Sequence, residues 1–139
     1  ALDVGEARTG MAVSDPLGIL ASPCGTIQVT SAQADAEAVK RAAAEHEAVR
    51  IVVGVPLNKE GGVGPQAQKV LDFVEVLRAT TDIEVVTIDE RFSTAAAHRA
   101  MNQTGLSTKK RKGVIDQAAA QQILQLYLDR ERNRSAWES

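Results

Sequence analysis

Four acidic residues in this sequence stand where a carboxylate is difficult to explain as ordinary surface: Asp3, Asp89, Glu90 and Asp116. Asp3 lies between Leu2 and Val4 in an apolar run that reads as a strand, where an unpaired carboxylate would give up its hydration uncompensated. A metal ion is one partner that would offset this loss; an edge position or a salt bridge is another. Asp3 also opens a DxGxxxxG run ending at Gly10, whose glycines let backbone come close to a ligand, although tight hairpins use glycine as well. Asp89-Glu90-Arg91 falls at the C-terminal end of a second strand-like run, the edge at which open α/β sheets collect ligands. The acids there either serve a ligand or favour the start of the next helix through its dipole, and Arg91 either clamps a phosphate or neutralises its neighbours. Asp116 opens a helical segment in which Ala119, Ala120, Ile123 and Tyr127 share its stripe, so it belongs on or beside the apolar face. The alternative is a first-turn acid that favours the helix dipole.

Periodicity and punctuation give the elements that must position these residues. Ala1 to Gly5 reads as a strand, expected to continue upstream in a longer protein. Gly10 to Ser14 and Ile19 to Val29 are apolar stretches broken by Asp15-Pro16 and by Pro23 with Gly25, as in hairpin-connected strands. A helix is expected from Ser31 or Ala32 to about Ala48, with Ser31 its N-cap and Ala36, Val39, Ala43 and His46 along one stripe. Arg50 to Val55 is a continuous β-branched run, the pattern of a strand covered on both faces, and Pro56 ends it. A glycine-rich loop then leads into a helix from about Gln66 to Thr80, with Val70, Phe73, Val74 and Leu77 as its apolar stripe. Ile83 to Ile88 is the last strand. Ser93 or Thr94 caps a helix running to roughly Gln103, with Gly105 placed to stop it. A basic loop to Gly113, a terminal helix from Val114 to about Arg130 and a frayed tail from Glu131 to Ser139 complete the chain.

The order βββαβαβαα is a meander followed by crossover units, whose helices return right-handed over the sheet. A five-stranded mixed sheet in the order 3-2-1-4-5 with helices on both faces satisfies it, which is the ribonuclease H-like arrangement of an α/β protein. That topology brings the middle of the first strand, the end of the fifth and the start of the last helix to one side of the sheet. Two or three clustered carboxylates without His or Cys suit a hard, oxygen-loving cation, Mg²⁺ or Mn²⁺. A pair of such ions activates water on one side of a phosphodiester and stabilises the leaving oxygen on the other.

Composition bounds the rest. At 139 residues, 44% hydrophobic, the chain suits one compact domain over 1–139. No apolar run reaches the length of a membrane span and no leader pattern is present, so a soluble, cytoplasmic protein is expected. A single cysteine, Cys24, excludes an intrachain disulfide, a Cys-rich zinc site and a CxxC pair, and reads as a small buried residue. Four aromatics, Phe73, Phe92, Tyr127 and Trp137, are too few for a base-stacking platform. The net charge of −2 hides an asymmetry: residues 1–90 carry 7 basic against 14 acidic side chains, residues 91–139 carry 9 against 4. Lys109, Lys110, Arg111 and Lys112 are the sharpest basic cluster, either a solvated loop or a phosphate contact beside Asp116. The loop Gly54 to Pro65 lacks the GK[ST] ending of a P-loop. It is either a flexible connection or a place where Asn58, Lys59 and backbone N–H groups touch a nucleic-acid backbone.

Leu2-Asp3-Val4-Gly5 with Arg8 and Gly10, Gly54 to Asn58, Asp89 to Thr94, and Ile115 to Ala119 with Ile123-Leu124 and Tyr127-Leu128 together resemble the YqgF (RuvX) family. The resemblance covers nearly the whole chain in order. It implies a ribonuclease H-like fold related to Holliday-junction resolvases, and a nuclease maturing the 5′ end of pre-16S rRNA with a role in ribosome biogenesis. It further implies Asp3, Glu90 and Asp116 as metal-binding catalytic acids for Mg²⁺ or Mn²⁺. Arg8, Asn58, Arg91 and Lys109 to Lys112 would be substrate contacts to RNA or DNA, in a monomer or homodimer. Two departures stand out: Glu6-Ala7 replaces a small or hydroxyl residue followed by a basic one, and Lys59 to Val63 is an unusual form of its loop. A noncatalytic nucleic-acid-binding module of the same fold is the alternative. An actin-like kinase fragment, suggested by the DxGxxxxG turn, would need a second such domain.

Overall fold

Short β-rich runs at the start of the chain pair as a meander because tight turns leave them no other partner. In the computed structural model, which describes residues 1–92 and 109–138, these are β1 (Leu2–Val4), β2 (Arg8–Ser14) and β3 (Ala21–Gln28). β3 starts later than the apolar pattern suggests, because Asp15 Oδ1 accepts from the N–H groups of Ile19 (2.7 Å) and Leu20 (3.0 Å) and keeps both in the turn. Pro23 is accommodated inside β3, which is an edge strand and so has no outer neighbour needing its N–H.

α1 (Ala32–Glu45) begins where Ser31 Oγ accepts from Ala34 N at 3.2 Å. His46 is not on its stripe: it is the exposed C-cap residue. β4 (Arg50–Val55) matches the β-branched run residue for residue. α2 (Pro65–Thr80) starts with Pro at its first position, where a missing N–H costs nothing, and buries Val70, Phe73, Val74 and Leu77. β5 (Glu84–Asp89) runs into a single 3₁₀ turn, Glu90–Phe92. The expected helix from Ser93 or Thr94 to Gln103, with Gly105, lies outside the described residues.

α3 (Lys109–Glu138) is longer than expected at both ends. Lys109 to Lys112 form its first turn instead of a loop, since Lys and Arg favour helix and one glycine, Gly113, is tolerated within it. The polar segment after Arg130 continues the helix to Glu138.

The sheet order is β3-β2-β1-β4-β5, with the first three strands antiparallel and β1, β4 and β5 parallel, as the element order requires. Alternation divides the core. Leu2, Ile51, Val53 and Val55 face α1 and α2, while Val52 and Ile88 face Ala119 and Ile123 of α3. Asp3, between Leu2 and Val4, therefore points to the α3 side.

α3 is fastened to the open edge by glutamines four residues apart. Gln117 Oε1 accepts from Gly25 N (3.2 Å), Gln121 Nε2 donates to Ala21 O (2.9 Å), and Gln125 accepts from Ala21 N (3.0 Å) and donates to Ile19 O (2.8 Å). These bonds occupy backbone groups that an edge strand otherwise exposes. They also fix the rotation of α3, and with it Asp116.

Candidate functional site

Gly10, Asp3 and Gly54 form one row across three adjacent strands. Asp3 pairs with Gly10 in the antiparallel register, and Gly54 stands one residue beyond the Leu2–Val53 pair of the parallel one. Each glycine makes room for something on the α3 side. A Cβ on Gly10 would overlap the backbone carbonyl of Asp116, and one on Gly54 would meet Ile123 Cδ1 at 2.5 Å and Glu90 Oε2 at 2.9 Å. α3 thus lies directly on β2 at Asp116, while Glu90 reaches over β4. The three acids border the same row, and Asp3, Glu90 and Asp116 are only 4%, 1% and 8% exposed.

This placement disposes of two alternatives. Asp116 is two helical turns into α3, beyond the first turn in which the dipole acts, so it is not a terminal helix acid. Glu90, in the 3₁₀ turn that follows β5, is enclosed. Asp3 is in the central strand of the five, not at an edge.

Arg8, Arg91 and Asn58 are held in intramolecular bonds. Arg8 Nε donates to Asp116 Oδ2 at 3.1 Å, with 14% and 12% of the two side chains exposed. Arg91 grips Asp89 through Nε and Nη2 (2.8 and 2.6 Å to Oδ2) and donates to Lys59 O at 3.3 Å, tying the glycine-rich loop to the end of β5. That charge-assisted pair holds the Asp89 carboxyl below the usual range, and Asp89 in turn raises the Arg91 guanidinium. Asn58 Oδ1 accepts from Gly62 N (2.7 Å) and Glu60 N (3.1 Å), so its amide organises the loop. The backbone of Lys109 to Lys112 enters α3 on the way to Asp116. Glu6, the extra acid near Asp3, is drawn to Lys69 of α2 at 3.8 Å, on the sheet face opposite α3. Cys24 is half-buried in β3 and its burial pushes the thiol pKa up, away from nucleophilic use.

Sequence reasoning missed the Arg8–Asp116 pair and the glutamine fastening. The first joins residues 108 apart, and the second shows only as a Gln spacing of four.

The donor set is all-carboxylate, buried and given space by two glycines, which fits a hard cation. Among the described residues, no three His, Cys, Asp or Glu side chains close on a common point as placed. Asp116 accepts from Arg8 instead.

The chain matches the family RuvX, described as Holliday junction resolvase, over residues 1–130. It belongs to the RuvX family. A relative from Clostridium botulinum (strain Hall), named "Putative pre-16S rRNA nuclease", is 44% identical over 128 residues, covering 92% of this chain and 93% of its own. Relatives of the same name from Clostridium novyi and a Synechococcus strain are each 43% identical and cover 92% and 99% of this chain. The RuvX fold is ribonuclease H-like, and the five-stranded order found here is that fold. No helix among the described residues is long and apolar enough to cross a membrane.

Proposed function

We propose that this RuvX chain is a divalent-metal-dependent nuclease acting in the cytoplasm on the 5′ end of pre-16S rRNA. The observation that carries the reading is the row Gly10–Asp3–Gly54, with Glu90 reaching it at Gly54, the backbone of Asp116 at Gly10, and all three acids buried. Asp3, Glu90 and Asp116 are the residues that would hold Mg²⁺ or Mn²⁺. When bound, such ions supply an activated water and a charge to stabilise the leaving oxygen. The protein contributes a rigid sheet row, a helix fastened over it and guanidinium groups for phosphate. Arg8 and Arg91 are suited to that contact by their planar forks, and Lys109 to Lys112 belong to the helix that carries Asp116. The names of the relatives support pre-16S rRNA as substrate, and the family description supports a four-way DNA junction as a second one.

The test is cleavage of end-labelled single-stranded RNA carrying a pre-16S 5′ leader, with a four-way DNA junction in parallel, in Mn²⁺. Cutting of the RNA that disappears with chelator is expected. Cutting of the junction alone would move the substrate to DNA. Binding of both without cutting of either would favour a noncatalytic module of the same fold.

A further inference from the structure

A buried carboxylate must have its lost hydration replaced by hydrogen bonds or by charge, and in the chain as folded Arg8 gives Asp116 both. The contact is built from two directions. Arg8 and Gly10 are two residues apart on β2 and so share the α3 side of the sheet; Gly10 receives the Asp116 backbone, and Arg8 receives its carboxylate. The helix position and the side-chain position of Asp116 are thus set by the same strand. A divalent ion at the row would offer Asp116 a stronger charge than a guanidinium does, and the two cations would repel each other across one carboxylate.

We propose that Arg8 is the resident counter-charge of this site: it holds Asp116 in the metal-free chain, yields it to the divalent ion, and then offers its guanidinium to a substrate phosphate. This rests on the metal-dependent reading above. Metal and phosphate binding are coupled through one side chain. Asp116 would turn from Arg8 to a bound ion, and the released guanidinium fork would match a phosphodiester oxygen pair. Because coupling is reciprocal, substrate should tighten metal binding by the same factor that metal tightens substrate. Arg8 is a positioning residue with respect to Asp116 and a substrate contact only in the metal-bound state.

The experiment measures Mn²⁺ binding calorimetrically to the full chain and to Arg8→Gln, Arg8→Lys and Asp116→Asn, without nucleic acid. Fluorescence anisotropy of a labelled single-stranded RNA in Ca²⁺ and in EDTA accompanies it. Removing a competitor should tighten Mn²⁺ binding by Arg8→Gln about tenfold, a mid-range coupling factor. Arg8→Lys keeps the charge without the Nε contact and should shift affinity less, in the same direction; it carries the test if melting shows that Arg8→Gln does not fold. The gain in RNA affinity from Ca²⁺ should be present in the parent chain and lost in Arg8→Gln. A merely structural Arg8 would weaken Mn²⁺ binding on removal. Weaker or unchanged binding in the variants, or an intact Ca²⁺ gain, overturns the proposal while leaving the nuclease reading in place. No Mn²⁺ binding by the parent, or binding that survives Asp116→Asn, overturns the metal assignment itself and this proposal with it.

Discussion

Glu90 Oε2 lies 2.9 Å from the point that a Cβ on Gly54 would occupy, so the acid stands where a neighbouring side chain is missing. The same holds across the row, where Gly10 leaves room for the backbone of α3 at Asp116. Both glycines lie within strands, where they weaken the sheet and where close approach by another group explains them.

Adding one methyl group at either position separates the two cases. Gly54→Ala meets the side-chain atoms Glu90 Oε2 and Ile123 Cδ1, which can shift, so a loss of about 1–3 kcal/mol is expected, the usual cost of overpacking. Gly10→Ala meets backbone, which cannot rotate away, and should cost more. Urea unfolding midpoints of the two variants give the order; a Gly10→Ala protein as stable as the parent would mean that α3 does not rest on β2 at Asp116.

Loosening the edge tests how α3 is held. Gln121→Ala with Gln125→Ala removes three bonds to the backbone at Ala21 and Ile19. Each contributes on the order of 0.5–1.5 kcal/mol net, so a combined loss of about 1.5–4.5 kcal/mol is expected, with faster hydrogen exchange at the Ala21 amide. Unchanged exchange at Ala21 would show that the glutamines do not protect the strand.

Much of this is legible in the sequence. The strand order followed from a meander and two crossovers, β4 from one β-branched run, and the face of Asp116 from helical spacing with Ala119, Ala120 and Ile123. What escaped was whatever depends on approach between distant elements. Nothing in the sequence shows the partner that Arg8 finds once α3 is laid across β2. Nor does it show that the loop closes to bring Gly62 N within 2.7 Å of the Asn58 amide oxygen. Lys109 to Lys112 read as a loop because charge runs are usually solvated; a solvated run of good helix formers is equally a helix start. Asp35 is buried because its Oδ1 accepts from Thr30 N and Oγ1, a local turn that apolar periodicity does not register.

Acid should release the tie between the glycine-rich loop and β5. Arg91 holds the folded-state Asp89 carboxyl below its ordinary value of about 3.9, so this pair contributes stability in full above that value. The contribution is lost as pH falls through the depressed folded-state pKa. Carboxyl NMR titration should find Asp89 below the ordinary range in the parent chain and within it in Arg91→Ala. Equal titration in the two would show that Asp89 and Arg91 are not paired in solution.

The most direct measurement is single-turnover cleavage of the labelled pre-16S leader in Mn²⁺ by the parent chain and by Asp3→Asn, Glu90→Gln and Asp116→Asn, each checked for folding by its thermal melt. The expected result is cutting by the parent and a loss of about two orders of magnitude or more in every variant, with cooperative melting retained. Full activity in any one of the three folded variants would contradict the assignment of these acids as the metal-binding set.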